Sequence, residues 1–245
     1  MLRAKKRGVG AFCRQPDLLT TRKRSGLSDA LEHEFESIDT PGINARNVML
    51  GEGVTSLSPD ERCDFAYFLM SLELRRRNHV EKGRAAAKSV KQNVDNDLEL
   101  HEAIRSSGIV ETPSQLWESN RADVIFEEES FLRMMRNVAR DPETRDYLVN
   151  ANWFIVSLGQ TDGTLVLADR PLVKTQGYFS PPQSWWWLLP LSPRHALVIT
   201  PNKLKLEEPK EFRQWVNNQS ATQADKYVFS IDEKDSEWLG SILSR

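Results

Sequence analysis

The spacing of apolar residues changes once along the chain, near residue 150, and that change limits the fold more than any other feature. Before it, apolar side chains recur three and four positions apart; after it, they fall in compact runs rich in tryptophan and β-branched residues. Runs of helix followed by runs of strand specify an α+β protein rather than an alternating α/β one. The expectation is a helical N-terminal half packed on a mostly antiparallel sheet formed by the C-terminal half. The 245 residues suffice to bury a sizeable core. They are read as one domain over 25–245, helical over 27–150, strand-rich over 152–230 and closed by a helix at 235–243.

The helical half carries its own punctuation. Leu27, Leu31, Phe35 and Ile38 share one helical stripe, with Ser28 placed to cap it and Thr40-Pro41-Gly42 placed to interrupt it. Ser58-Pro59-Asp60-Glu61 is a capping box: the serine accepts from the backbone N–H of Glu61, and the glutamate reaches back. The helix it opens should bury Phe65, Phe68, Leu69 and Leu72, end near Arg75, Arg76 and Arg77, and run on weakly past Gly83. Thr112 and Gln115 repeat the box, Gly108 stops a segment before it, and Phe131, Leu132, Met135 and Val138 mark another helix.

In the second half, 153–158 and 164–168 read as a hairpin turned at Asp162-Gly163. The runs 185–189 and 196–200 read as a second strand pair, joined through Pro190 to Pro193. Alternation sends Trp185 and Trp187 to one face and Trp186 to the other. A helix around Phe212, Trp215 and Val216, a short strand at 227–230 and an amphipathic helix with Trp238 and Leu239 complete the chain.

Hydrophobic residues at 39% and charged residues at 28% are those of a globular protein. A net charge of -2 argues against a whole-protein affinity for nucleic acid or anionic lipid. The charge is uneven: the first 24 residues hold eight Lys or Arg against the single acid Asp17, and are read as a basic, disordered arm. Cys13 and Cys63 are far apart and fit no metal or redox spacing, which points to free thiols in a reducing, cytoplasmic compartment. No apolar run approaches the roughly 18 residues of a membrane span, so no membrane partner is expected.

The phosphate-loop, dinucleotide, zinc-protease and serine-esterase signatures do not occur in the sequence. His33, His79, His101 and His195 share no ligand spacing, so neither a metal nor a cofactor is expected. Glu208-Pro209-Lys210 and Asp232-Glu233-Lys234 have the acid-x-lysine form of nuclease cores, a common tripeptide that is awkward with proline in a strand; nucleic acid is therefore a weakly supported partner. Two features remain as candidate ligand-binding residues. Arg75, Arg76 and Arg77 could hold a phosphate or carboxylate, or complement a helix C-terminus. Asp169, followed by Arg170-Pro171, ends a strand beside a loop, where an acid serves either a ligand or a turn. If helix and sheet pack with these ends together, Asp169 pairs with one of the three arginines at the rim.

An ordered set of segments then resembles the domain-of-unknown-function family DUF4238. These are 31–39, Leu57-Ser58-Pro59 with its arginine-ended helix, Asn152-Trp153-Phe154-Ile155, Ala168-Asp169-Arg170-Pro171-Leu172, Leu189-Pro190-Leu191-Ser192-Pro193, and 224–230. Members usually show Ser-Asp-x-Pro-Val where this chain has Ala168 to Leu172, and open with His-Tyr-x-Pro-Gln where it has the basic arm. The resemblance implies a bacterial, uncharacterised intracellular protein with an N-terminus shortened relative to the family. The leading functional expectation is a binding or interaction module. The alternative is an enzyme acting on a phosphate-bearing or nucleic-acid substrate, with Asp169 as acid and an arginine of 75–77 as anion clamp.

Overall fold

The computed structural model describes residues 21–23, 26–28, 30–94, 96–119, 123–174, 185–201 and 208–243. Most of the basic arm, Cys13 included, lies outside the described residues. The chain is α+β, with helices in its N-terminal half and an antiparallel four-stranded sheet in its C-terminal half. It divides into two compact units, one built on Asp39–Glu73 and Pro142–Arg245, the other on Pro16–Ile38 and Leu74–Asp141.

In the second of these units, β1 (Thr21–Lys23) pairs antiparallel with β2 (Gly26–Ser28). Leu27 and Ser28 therefore lie in a strand, and the helix expected from them begins later, as α1 (Ala30–Glu52). Leu31, Phe35 and Ile38 are buried as their spacing requires. Pro41 does not interrupt α1. An interior proline costs about 3 kcal/mol, which the buried residues before it and after it (Ala45, Met49) together outweigh.

The remaining helices of this unit are α3 (Arg77–Val94), α4 (Leu98–Ser106), α5 (Pro113–Ser119) and α6 (Asp123–Ala139). Gly83, expected to weaken its helix, is where α3 meets α6: a Cβ there would stand 2.9 Å from the Met134 methyl and 3.0 Å from the Phe131 ring. Arg84 adds a two-pronged pair to Glu128 at 2.9 and 3.1 Å and lies over the Phe131 ring. Gly108, at φ +79°, follows α4, and the Thr112–Gln115 box caps α5.

The other unit contains α2 (Pro59–Leu74), all but the last residue of it, together with the later part of α1. Ser58 Oγ accepts from Glu61 N–H at 3.2 Å, while Ser58 N–H donates to Glu61 Oε2 at 2.8 Å, the reciprocal bonds read from the sequence. Phe65 and Leu69 are fully buried, and Phe68 and Leu72 pack half-buried against the same core. Gly42 of α1 lets Phe68 approach until a Cβ would stand 2.5 Å from Phe68 Cβ. Ser58→Ala should lower unfolding stability by about 1 kcal/mol, read from the urea midpoint; an unchanged midpoint would mean that the box contributes nothing. The Ser58 bonds hold the Glu61 carboxyl below its usual range, so the contribution of the box is present at neutral pH and fades as pH falls through that lowered value.

After α7 (Pro142–Val149) come β3 (Asn152–Ser157), β4 (Leu167–Ala168), β5 (Val173–Lys174), β6 (Trp187–Ser192) and β7 (His195–Thr200). The sheet order is β3-β7-β6-β5, all antiparallel. The expected strand pair forms as the β6–β7 hairpin, but β6 begins at Trp187, after Trp185 and Trp186, and Pro190, Leu191 and Ser192 belong to the strand rather than to the connection. The expected hairpin at Asp162-Gly163 is not formed: β3 pairs along its whole length with β7, and β4 joins a separate two-stranded ribbon. A six-residue register with β7, four of its pairs apolar, outweighs a local turn signal.

Both faces of the sheet are covered, which is why the middles of β6 (Leu188, Leu189) and β7 (Ala196 to Ile199) are continuously apolar. One face places Trp153, Trp187, Leu189, Leu197 and Ile199 against Phe65, Leu69 and Leu148. The opposite face places Val156, Leu188, Ala196 and Val198 against Phe212 and Val216 of α8 (Pro209–Gln223). Trp185 and Trp187 are buried in the first core, and Trp186 stacks on Trp215 at 4.1 Å beside the second. The chain then passes through β8 (Val228–Phe229) into α9 (Asp235–Leu243).

Candidate interaction site at the Asp169 clasp

Asp169 leaves the end of β4 and grips the segment that enters β8. Its Oδ1 accepts from Asp225 N–H at 3.0 Å; its Oδ2 accepts from Lys226 N–H at 2.8 Å and Tyr227 N–H at 3.0 Å. Its own N–H donates to Tyr227 O at 3.0 Å. An acid at a strand end has free backbone donors within reach, and here one carboxylate takes three of them. Around it, Gln223 Nε2 donates to Arg170 O at 2.6 Å, and Arg170 Nη1 stands 3.4 Å from Asp225 Oδ1. One turn and more earlier on α8, the Asn217 amide takes the N–H of Val166 and donates to the carbonyl of Thr164, both at 2.9 Å. A run of polar side chains thus stitches 164–170 to 217–227.

The ribbon so held has an apolar outer side. β4 and β8 pair as Leu167 with Phe229 and Ala168 with Val228. Ala168 is buried, while Leu167 is 41% exposed and Ile231, just past β8, is 71% exposed. Tyr227 and Phe229, two positions apart and therefore on one face, have ring centroids 6.3 Å apart, and Lys226 Nζ lies 5.1 Å from the Tyr227 ring. Ser230 Oγ bonds Asp235 Oδ2 and accepts from Asp232 N–H, which fixes the entry to α9. Among the described residues each ribbon strand is paired on one side only.

The arginine group is distributed. Arg75 and Arg76 form the bend between α2 and α3, and Arg77 opens α3. The Arg75 guanidinium lies 4.4 Å from the Phe35 ring centroid and Nη2 is 3.4 Å from Phe35 O, whereas Arg77 Nε pairs with Glu81 at 2.6 Å. Consecutive side chains point apart, so these two serve different neighbours. Asp169 belongs to one compact unit and the three arginines to the other.

One polar feature was not anticipated. Lys174 Nζ of β5 pairs with Glu73 Oε1 of α2 at 3.2 Å, with side chains only 13% and 6% exposed, and it lies 5.4 Å from the Trp187 ring centroid. The signal for Glu73 is in the sequence: Phe65, Leu69 and Glu73 follow one another at four-residue steps, placing a carboxylate on the buried stripe. Nothing comparable marks Lys174. Among the described residues, no three His, Cys, Asp or Glu side chains are grouped to hold a metal ion, and no helix is long and apolar enough to cross a membrane.

No curated protein matches the chain, and no solved structure matches it. The family described as protein of unknown function (DUF4238) matches over residues 3–234. The clasp unites two segments on which the resemblance rests, 168–172 and 224–230, and with the match running over nearly its whole length the chain belongs to the DUF4238 family.

Proposed function

We propose that the chain is an interaction module and that its contact surface is the outer side of the β4–β8 ribbon. The observation that carries this reading is how the Asp169 carboxylate is used. Its two oxygens are committed to three backbone N–H groups that hold Tyr227 in place, so it positions a surface rather than standing ready as an acid. Exposed Leu167 and Ile231 with half-buried Tyr227 and Phe229 give that surface an apolar centre, and Lys226 and the Arg170–Asp225 pair give it a charged margin. The partner that suits it is another protein, contributing an apolar patch or an added strand.

A photo-crosslinking side chain introduced at Ile231, and separately at Leu167, should yield one discrete adduct in an extract of the native host. The same probe at Gln214, an exposed position on α8, should not. Leu167→Asp should abolish the Ile231 adduct without altering the circular dichroism spectrum. An identical adduct at all three positions, or one indifferent to Leu167→Asp, would remove the ribbon as the contact surface.

A further inference from the structure

Two guanidinium groups are brought to one tight glycine-bounded loop, 159–164, and one of them has no acidic partner there. The loop closes on itself: Gly159 N–H donates to Asp162 Oδ2 at 2.7 Å, and Asp162 N–H donates to Gly159 O at 3.3 Å. Gly163 holds φ +82°, in the left-handed region that glycine favours. Arg194 comes from the β6–β7 turn, whose backbone is fastened to both ends of the loop: Leu158 N–H donates to Arg194 O at 2.8 Å and Leu165 N–H to Pro193 O at 2.7 Å. Ser192 Oγ accepts the Arg194 N–H and meets His195 Nδ1 at 2.7 Å, which stiffens the turn. Arg194 Nη1 then donates to Gly159 O at 2.6 Å.

Arg213 reaches the other end of the loop from α8. Its guanidinium lies so close to Gly163 that a Cβ there would be 2.8 Å from Nη1 and 3.1 Å from Cζ. Its Nε is buried and makes no hydrogen bond. Beside it, Thr164 is only 7% exposed and its Oγ1 is likewise buried without a partner, while Asn217, one helical turn beyond Arg213, holds the Thr164 carbonyl. A buried donor without a partner is costly, and the chain leaves two such polar groups, one of them on a cation, on residues that touch or follow Gly163. Asp162 is the only acid in the loop, and its Oδ2 already takes the Gly159 N–H.

We infer that the 159–164 loop with Arg194 and Arg213 is a binding site for a tetrahedral oxyanion, a phosphate group being the chemistry it fits. A guanidinium offers paired donors to such an anion. This site is separate from the ribbon surface proposed above and does not depend on it.

Isothermal titration of the full chain with inorganic phosphate, at ionic strength held constant with sodium chloride, should show saturable one-site binding. Arg213→Gln should weaken it at least tenfold and Thr164→Val several-fold. Lys210→Gln, which removes an equal charge from the exposed start of α8, should leave it within twofold. A parallel titration with methyl phosphate separates the two sources of the group: equal or tighter binding assigns the site to phosphate esters, and binding at least tenfold weaker assigns it to the free ion. If Arg213→Gln does not fold, Arg194→Gln serves in its place with the same expectation. No saturable binding of either compound by the unmodified chain, or undiminished binding by the arginine variants, would overturn the inference.

Discussion

Asp169→Ala should cost the folded chain about 3 kcal/mol, because hydrogen bonds to a charged acceptor contribute about 1.5–3 kcal/mol each and part of that is regained when exposed donors return to water. Three N–H groups lose their acceptor together, those of Asp225, Lys226 and Tyr227. The first two face solvent and recover water; Tyr227 is half-buried and recovers less. Asp169→Asn distinguishes charge from shape. Its one oxygen can take the position that accepts two N–H groups, but the amide nitrogen then meets the Asp225 N–H donor to donor. The asparagine should therefore rescue only part of the loss. Urea unfolding gives the magnitude, and amide exchange gives the location: protection should fall at 225–229 and persist in β6 and β7, which the clasp does not touch. A midpoint within about 0.5 kcal/mol of the unmodified chain, the range of ordinary surface substitutions, would show that the clasp is not what holds the ribbon. Loss of a catalytic activity in Asp169→Asn with stability intact would instead return the residue to the role of an acid.

What could be read from the sequence follows the range of the interactions concerned. The Ser58 box, the Thr112 box and the Gly108 stop are bonds between residues three to five apart, and each formed where its pattern stood. The alternation of Trp185, Trp186 and Trp187 was legible from period two, and it holds although Trp185 and Trp186 precede β6. Partner choice was not. The turn signal at Asp162-Gly163 suggested a local return, but Trp153, Ile155 and Val156 found a longer register on β7, 40 to 46 residues away. Pro41 misled for a related reason: its local penalty is fixed, whereas the burial that overrides it is set by tertiary packing. Asp169 was located correctly as an acid at a strand end, but what it grips lies 56 to 58 residues further on, so no local pattern could reveal the clasp. Glu73 was readable and Lys174 was not, since only the first sits within a periodic apolar stripe.

Lys174→Met should destabilise the chain by about 3–5 kcal/mol, the cost of removing one partner from a buried ion pair. Methionine fills nearly the same volume and can lie against Trp187 as the lysine stem does, so lost packing contributes little. What is lost is the ammonium 3.2 Å from Glu73, a charge that offsets the desolvation of a carboxylate only 6% exposed. The complementary variant separates the pair from its surroundings. Glu73→Gln combined with Lys174→Met removes both charges and should recover at least half of the loss, because a neutral amide is far less costly to bury than a carboxylate. The coupling from the double-mutant cycle is then at least about 2 kcal/mol, towards the upper end for directly contacting partners. That pattern identifies a pair whose net worth is small and whose halves are each costly alone. It would hold α2 and β5 in a single register, since sliding either element separates the charges. Single variants within about 0.5 kcal/mol of the unmodified chain, with no coupling, would mean that water reaches the pair and that it is no more than a surface contact.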